Sequence, residues 1–271
     1  MYAPGSEIQP AVNLLRDLGR VCFAVGIGAF GIQYLLYGRF VGGLAPVPPW
    51  TPGGSVLSYV VGIFLLAGAA GMALLWYPRL SALLIGGFFL LCVLFLHAWH
   101  FRAVVTEGTA RTRALEPLAI AAAAFILAGT FETAAPESRP GALTSLLIKS
   151  GRFVFAFTMV IFGLQHFEYA QFIAAIIPGW IPAHMFWVYF TGVGFMVAAA
   201  AISLRVLGRL AALSLGLMFL LWFLLLHLPR VFAALHNGDE WSSAFVALNL
   251  AGACLVISTT VSREPSGGSP R

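Results

Sequence analysis

The sequence predicts an all-α integral membrane protein with eight transmembrane helices. They form two parallel four-helix repeats related by a pseudo-twofold axis along the membrane normal. Of the 271 residues, 60% are hydrophobic and only 9% are charged, whereas soluble domains carry roughly 25% charged residues. The apolar runs reach the about 20 residues that a helix needs to cross a bilayer. The run from Arg79 to His97 also returns from Arg209 to His227, with eleven of nineteen positions identical.

Eight apolar segments give the spans in chain order. The first four cover residues 19–37, 56–76, 79–101 and 113–132, and the second four cover 150–169, 183–204, 207–229 and 241–261. They predict a first four-helix unit at 16–133, a cytoplasmic linker at 134–148 and a second unit at 149–262. Residues 1–15 and the Ser-, Gly- and Pro-rich residues 263–271 are expected to be mobile, disordered tails.

The two units repeat short motifs at a nearly constant distance. The offset is 132 residues in the first span of each unit and 130 residues from the following loop through the third span. The paired motifs are Gly19-Arg20 with Gly151-Arg152, Phe30-Gly31-x-Gln33 with Phe162-Gly163-x-Gln165, and Trp50-x-Pro52 with Trp180-x-Pro182. Because each unit has an even number of spans, both units enter the membrane from the same side, which makes the repeats parallel.

Loop charges predict the orientation and the compartment. Ten of the fifteen basic residues fall on the side that holds both termini, and five fall on the other side. Cytoplasmic loops are the ones that carry excess Lys and Arg, so both termini are expected in the cytoplasm of a multi-pass protein of the cell (plasma) membrane. Lys149 is the single lysine, and no basic cluster indicates nucleic-acid binding.

Polar residues gather at one depth, near the outer ends of the spans. From Arg79 to His97 a helix rises about 27 Å, close to the about 30 Å of the hydrocarbon core, so the histidine lies near the outer edge. All six histidines fall in this outer half. Ionisable groups at membrane depth normally face the bundle interior or a wet cavity. The sequence therefore predicts an outward-facing ligand pocket formed by Gln33, His97, Glu116, Gln165, His166, His227 and Asn249.

One helix face is expected to point both repeated histidines into this pocket. The 3- and 4-residue spacing places Leu83, Gly86, Leu90, Leu94 and His97 on one stripe, and Leu213, Gly216, Leu220, Leu224 and His227 on its counterpart. Gly86 and Gly216 would allow close helix contact on it. If the pocket is catalytic, the candidates are His97, His227 and Glu116.

The four-helix unit resembles the DoxX-like family, so the chain looks like two such units fused. The resemblance rests on Gly19-Arg20, on Phe30-Gly31-x-Gln33, on the outer loop with Trp50 and Pro52, and on the small-residue second span. It implies a redox-associated membrane subunit, since some members are similar to the membrane subunit of a thiosulfate:quinone oxidoreductase and others are linked to thiol-stress complexes. This chain has no paired cysteines to carry thiol chemistry itself.

The first functional hypothesis is a quinone or similar apolar ring compound held in the pocket. Histidine and glutamine side chains would bond its carbonyls, and Glu116 or Glu168 would relay protons. A soluble or membrane oxidoreductase would be the partner. A haem between His97 and His227 is an alternative that no haem-specific spacing supports. No metal site is predicted, because His97-x-x-His100 with Glu116 matches no established metal motif.

Two alternatives to this redox hypothesis stay open, and the sequence leaves undecided whether the protein is an enzyme. The first is a non-enzymatic protein for lipid or small-molecule binding, transport or assembly, which the duplicated architecture would suit. The second is a hydrolase or transferase acting on a lipid-linked substrate. No nucleophile elbow, phosphate loop or His-Glu-x-x-His motif is present to support the second.

Overall fold

The computed structural model describes residues 8–41, 43–48, 51–131 and 141–261, and every regular element in these ranges is a helix. The α-helices are α1 (Ile8–Tyr37), α2 (Gly54–Ala73), α3 (Pro78–Cys92), α4 (Phe101–Thr106), α5 (Gly108–Thr130), α6 (Ala142–Glu168), α7 (Ala170–Ile176), α8 (His184–Leu204), α9 (Gly208–Trp222), α10 (Leu228–Ala233) and α11 (Gly238–Ser258).

Eight helical stretches of the described chain are long and apolar enough to cross a membrane, and they correspond to the eight predicted spans. Six of them are single α-helices: α1, α2, α5, α6, α8 and α11. The third span runs from α3 into α4 through a π-helical turn at Val93–His97 and a 3₁₀ turn at Ala98–His100. The seventh runs from α9 into α10 through a π-helical turn at Phe223–His227. The short helix α7 lies outside the spans.

Two helices begin inside segments that were predicted to lie outside the four-helix units. α1 starts at Ile8, inside the expected N-terminal tail, and α6 starts at Ala142, inside the expected linker. Both segments contain Ala, Leu and Ile, which allow a helix to continue beyond the hydrophobic span. The predicted tail at 263–271 and residues 134–140 of the linker lie outside the described residues.

The centre of the bundle is built from α5 and α11. They are the most buried spans, with 72% and 78% of their most apolar stretch inside the protein. α5 carries the buried run Ala121–Ala124, and α11 carries Ala251 and Ala253. Small side chains let helices approach closely in a membrane, so these two helices take the middle, and α1, α3, α6 and α9 pack around them.

Glycines set the contact between neighbouring spans in each half. A Cβ atom added to Gly31 in α1 would lie 2.7 Å from the carbonyl oxygen of Gly62 in α2, and one added to Gly163 in α6 would lie 2.8 Å from that of Gly192 in α8. No side chain fits at those distances. Glycine is therefore required where α1 crosses α2 and where α6 crosses α8.

The predicted stripe on the third and seventh spans holds only in part. Gly86 and Gly216 are buried against α5 and α11, as expected, but Leu94 and Leu224 are exposed. The π-helical turn is the reason, because its wider turn advances the buried face by five residues instead of three or four. Accordingly, the inward positions step from Cys92 directly to His97.

Candidate functional site: a membrane cavity with one polar end

One large cavity lies in the second half of the described chain. Its volume is about 1490 Å³. It is bounded by α5, α6, α8, α9 and α11, and α7 lies along one end. We call that end the histidine side, because His97, His166 and His227 all lie at the corresponding ends of their helices. Ligand pockets commonly measure about 300–1,000 Å³. The cavity is therefore large enough for a lipid-sized molecule.

Four of the seven predicted ligand-binding residues line this cavity. Glu116 comes from α5, Gln165 and His166 come from α6, and His227 ends the π-helical turn after α9. Three separate parts of the chain thus bring polar side chains to the same end of one apolar space. Whether they bind a ligand stays a prediction.

Gln165 is held by its amide nitrogen. Its Nε2 donates to the carbonyl oxygen of Gly108 and to Oγ1 of Thr112, both at 3.0 Å. These contacts fix the orientation of the amide, because the Gly108 carbonyl can only accept. Oε1 is buried and has no hydrogen-bond partner in the described chain. A buried acceptor left unpaired costs about 1–3 kcal/mol, which a bound hydrogen-bond donor would recover.

His166 presents one nitrogen as an acceptor. Nδ1 lies 2.8 Å from the Phe162 carbonyl oxygen and must donate to it, so the neutral ring keeps Nε2 as its acceptor. The imidazole stacks on Trp222, with ring centroids 5.7 Å apart and planes at 21°. Phe195 and Phe219 pack edge-on around the same indole. Together these rings form an aromatic wall beside the polar residues.

Glu116 lies on α5 directly before Pro117, which interrupts the hydrogen bonding of that helix. Its side chain is partly buried, lines the cavity and forms no hydrogen bond or ion pair with the described residues. Arg113, one helical turn earlier, is the charged residue with an electrostatic effect on this carboxyl group. Glu116 is thus an uncommitted carboxyl group at the polar end.

His227 also lines the cavity, and its Nδ1 is buried without a partner in the described chain. It closes the π-helical turn that begins at Phe223. Such turns are rare and are frequently found at functional sites. Here the turn changes the helix face and brings the imidazole to the cavity, five positions after Trp222.

The charged groups of the polar end are largely paired. Arg230 is 2.7 Å from Glu240, and Arg111 is 2.8 Å from Glu168. Arg113, which also lines the cavity, is 3.8 Å from Asp239. Glu168, predicted as an alternative proton relay, is tied to Arg111 and Tyr169 and does not line the cavity. Each described basic residue that lines the cavity therefore has an acidic side chain close to it.

The other three predicted residues form contacts outside the cavity. His97 is buried with Nε2 3.4 Å from the Leu44 carbonyl oxygen. Gln33 donates to the carbonyl oxygen of Gly238 and accepts from Ser242 Oγ at 3.1 Å. Asn249 is fully buried and donates to the Phe23 carbonyl oxygen at 3.0 Å. In the described chain these side chains join helices and loops to one another.

The described residues do not bring the candidate metal or haem ligands together at one site. Among the described residues, no three His, Cys, Asp or Glu side chains group as metal ligands, and His100 Nδ1 contacts the carbonyl oxygen of Leu96 within its own helix. His97 does not line the cavity that His227 lines. The two imidazoles that would ligate a haem therefore belong to different environments.

Sequence reasoning missed Trp222 and Gly194 as cavity residues. Trp222 lies within a span, five residues before His227, whereas tryptophans in membrane proteins are most common at the interfaces. The position of Trp222 inside the span was the feature of the sequence that could have identified it as a cavity residue. Gly194 differs from Phe64, its counterpart 130 residues earlier. That departure from the repeat was one sign that the two halves surround different spaces.

Comparison with known proteins adds one match. A family model described as a domain of unknown function (DUF8561) matches residues 155–258, which run from α6 to the end of α11. The match covers less than half of the chain. No curated protein and no solved structure matches the sequence.

Proposed function

We propose that this membrane protein binds a quinone, or a similar apolar ring compound, with the ring at the polar end of the cavity. The observation that carries the proposal is the convergence of Glu116, Gln165, His166 and His227 on one apolar, aromatic-walled space. Such a combination of an apolar pocket with a few polar groups is typical of small-molecule sites.

The charge balance favours a neutral head group. Arg113 and Arg230 are the basic residues that line the cavity, and each has an acidic neighbour. A phosphate would have to displace those acids, because phosphate recognition relies on available Arg or Lys. A quinone carbonyl or a quinol hydroxyl needs only a hydrogen-bond partner. His166 Nε2 would accept from a quinol, and His227 would bond the opposite oxygen after a small rotation of its ring.

The chemistry proposed for the bound quinone is the uptake of two electrons and two protons to give quinol. The electrons would come from a soluble or membrane oxidoreductase partner, which makes the chain a redox-associated subunit. Glu116 is placed to pass protons, because its carboxyl group lines the cavity and is engaged by no other described residue. Positioned carboxyl groups commonly act as general acids and bases.

We also propose that residues 16–133 and 149–262 are two DoxX-like structural repeats related by a pseudo-twofold axis along the membrane normal. Both π-helical turns end on the repeated histidines. The turn after α2 places Leu75 and Tyr77 in the left-handed region, and the turn after α8 does so with Arg205 and Leu207. Left-handed backbone is costly for such residues, so its recurrence at the same 130-residue offset supports a common origin.

The orientation belongs to the same proposal. Both termini would lie in the cytoplasm and the histidine side would face outward in the plasma membrane, in line with the loop charges. The quinone ring would then sit near the outer surface, where an exported or membrane-bound partner could reach it.

The test uses the protein in lipid nanodiscs and a short-tailed benzoquinone. Quinones quench tryptophan fluorescence, and Trp222 lies beside the proposed ring site, so quenching reports binding. We expect His227→Ala to weaken benzoquinone binding about five- to tenfold, the equivalent of one hydrogen bond of about 1 kcal/mol. Gln165→Ala should weaken binding of the corresponding quinol, measured in competition with the quinone, because the free Oε1 of Gln165 can accept a hydrogen bond but cannot donate one. Trp222→Phe should remove part of the quenching, and the remainder should come from Trp180 and Trp187, which also line the cavity.

The matched control is His97→Ala, the same change at the paired position that does not line the cavity. Its affinity should equal that of the wild type. The proposal fails if the wild type binds no quinone, or if the His97 and His227 variants lose the same affinity while thermal unfolding shows both to be folded.

Lipid transport is the second candidate, and the length of the cavity favours it. The lining extends from Arg230 on the histidine side to Val206 and Leu207 near the opposite surface. A lipid moving between leaflets would need such a path. Reconstitution into proteoliposomes with a fluorescent lipid distinguishes the two, because a quinone-binding subunit should not accelerate lipid exchange between the leaflets.

A further inference from the structure

The cavity extends far beyond its polar end, as a cleft between α8 and α9. Its walls there are Gly194, Ala198 and Ala201 from α8 and Ala211 and Ser214 from α9. From Leu210 to His227 the seventh span rises about 26 Å, most of the about 30 Å hydrocarbon core. The space is therefore a long apolar slot that is continuous with the proposed ring site.

Small residues keep this cleft open. A Cβ atom added to Gly194 would have no atom within 4 Å, so the glycine borders empty space. The corresponding positions in the first half are occupied by Phe64 and Phe88, whose rings pack together with centroids 5.5 Å apart. They replace Gly194 and Met218 at the 130-residue offset. An aromatic pair thus fills the space between α2 and α3 that is open between α8 and α9.

The α2–α3 and α8–α9 pairs also differ in the size of one residue at their contact. Gly68 of α2 lies so close to Ile85 of α3 that an added Cβ would be 2.6 Å from its Cδ1. Ala198 of α8 stands at the position of Gly68. The α8–α9 contact thus carries a methyl group where the α2–α3 contact has none.

The cleft opens sideways toward the bilayer. Val197 and Leu210 line it, and each is 61% exposed on the lipid-facing surface; Leu217 lines it as well and is 57% exposed. A hydrophobic molecule would therefore enter from the membrane and would not need to cross the aqueous loops on the histidine side.

We infer that the α8–α9 cleft holds the long hydrocarbon tail of the quinone and is its lateral entrance from the bilayer. This inference rests on the proposed function, because the tail belongs to the molecule whose ring lies at the polar end. Ser214 and Thr191 are the polar side chains along the cleft, and Thr191 is bonded to its own helix. The occupant of the cleft is accordingly a hydrocarbon chain.

Bilayer lipid is as apolar as the cleft, so burying the tail yields little transfer free energy. The tail is instead accommodated by shape. Filling the cleft should for this reason exclude a long tail sterically and leave the ring site intact.

The test is the double variant Gly194→Phe/Met218→Phe, which copies the aromatic pair of the first half. Two probes with the same quinone ring are compared in nanodiscs, one with a long isoprenoid tail and one without a tail, with concentrations expressed as mole fractions in the bilayer. We expect the variant to bind the long-tailed quinone at least tenfold more weakly and the tail-less quinone as the wild type does.

The control for adding a large ring to a span is Gly87→Phe. A Cβ at Gly87 also meets no atom within 4 Å, and this glycine does not line the cavity. Its affinity for both probes should be unchanged. If the double variant does not fold, Gly194→Leu gives a smaller obstruction and is expected to weaken long-tailed binding by a smaller factor.

The outcomes separate the two proposals. Wild-type protein that binds neither probe overturns the proposed function. Wild-type protein that binds both, with a folded variant in which the two affinities change alike or not at all, overturns the tail slot alone. Native mass spectrometry that finds a phospholipid retained by the wild type and lost from the variant, without discrimination between the quinones, would likewise overturn the assignment of the tail.

Discussion

The two halves of this protein carry the same polar residues in different surroundings. In the first half, the histidine side is closed by Leu44, which is 1% exposed and whose carbonyl oxygen faces His97, and the space between α2 and α3 is filled by Phe64 and Phe88. In the second half, α7 and the open α8–α9 cleft surround His227 instead. In the first half side chains occupy these positions, and in the second half they border a cavity.

This difference shows that a repeated residue need not repeat its role. Gln33 uses both ends of its amide to hold α11, whereas the paired Gln165 leaves Oε1 without a partner in the described chain. Under the proposed duplication, one copy would maintain the structure and the other would be free to bind. Three sets of variants test this difference between the two halves.

The largest effect is expected from opening the first half with Phe64→Gly/Phe88→Met, the reverse of the cleft-filling change. Phe64 and Phe88 are partly buried, and losing one fully buried ring costs about 3–5 kcal/mol, so the loss of both rings together should lower the unfolding temperature clearly. Cys92, 5% exposed and paired in position with Trp222, should then react with a membrane-permeant maleimide. Cys254 is the internal control and should remain unreactive. Unchanged labelling of Cys92 in the folded variant would mean that the aromatic pair does not close the first half.

A smaller effect is expected from Leu44→Ala compared with Ile176→Ala. Leu44 is a buried residue of the loop after α1. Truncating a buried leucine costs about 2–5 kcal/mol. Ile176 lines the cavity, where a smaller side chain leaves no newly enclosed void, so its loss should cost below about 1 kcal/mol. Thermal or denaturant unfolding in detergent measures both. Equal destabilisation would contradict the distinction between a packed first half and an open second half.

The smallest effect is expected from Gln33→Ala compared with Gln165→Ala. Loss of Gln33 leaves Ser242 and the Gly238 carbonyl unpaired, at a cost of about 1–3 kcal/mol. Loss of Gln165 exposes the Gly108 carbonyl and Thr112 to a cavity where water can replace the bond, so stability should fall by less than about 1 kcal/mol. In quinol binding the order should reverse, because Oε1 of Gln165 lies at the cavity and is available to accept from the hydroxyl group. A Gln33 variant that is as stable as the wild type would argue against a structural role for this side chain.

The sequence predicted the membrane class and all eight spans, because a helix in lipid must be long and apolar and both properties are local. It also named four polar residues, Glu116, Gln165, His166 and His227, that line the cavity, and their role as ligands stays a prediction. The expected stripe failed at Leu94 and Leu224, because the π-helical turns depend on packing and leave no mark in a 3.6-residue pattern.

The membrane class and the number and order of the spans could thus be read from the sequence alone. Only the tertiary structure decided that His227 lines a cavity while His97 is buried against a carbonyl group. The physical reason is that a side chain's surroundings come from distant segments. Leu44, Phe64 and Phe88 surround one copy, and α7, Gly194 and Met218 surround the other, so that matching residues acquire different partners.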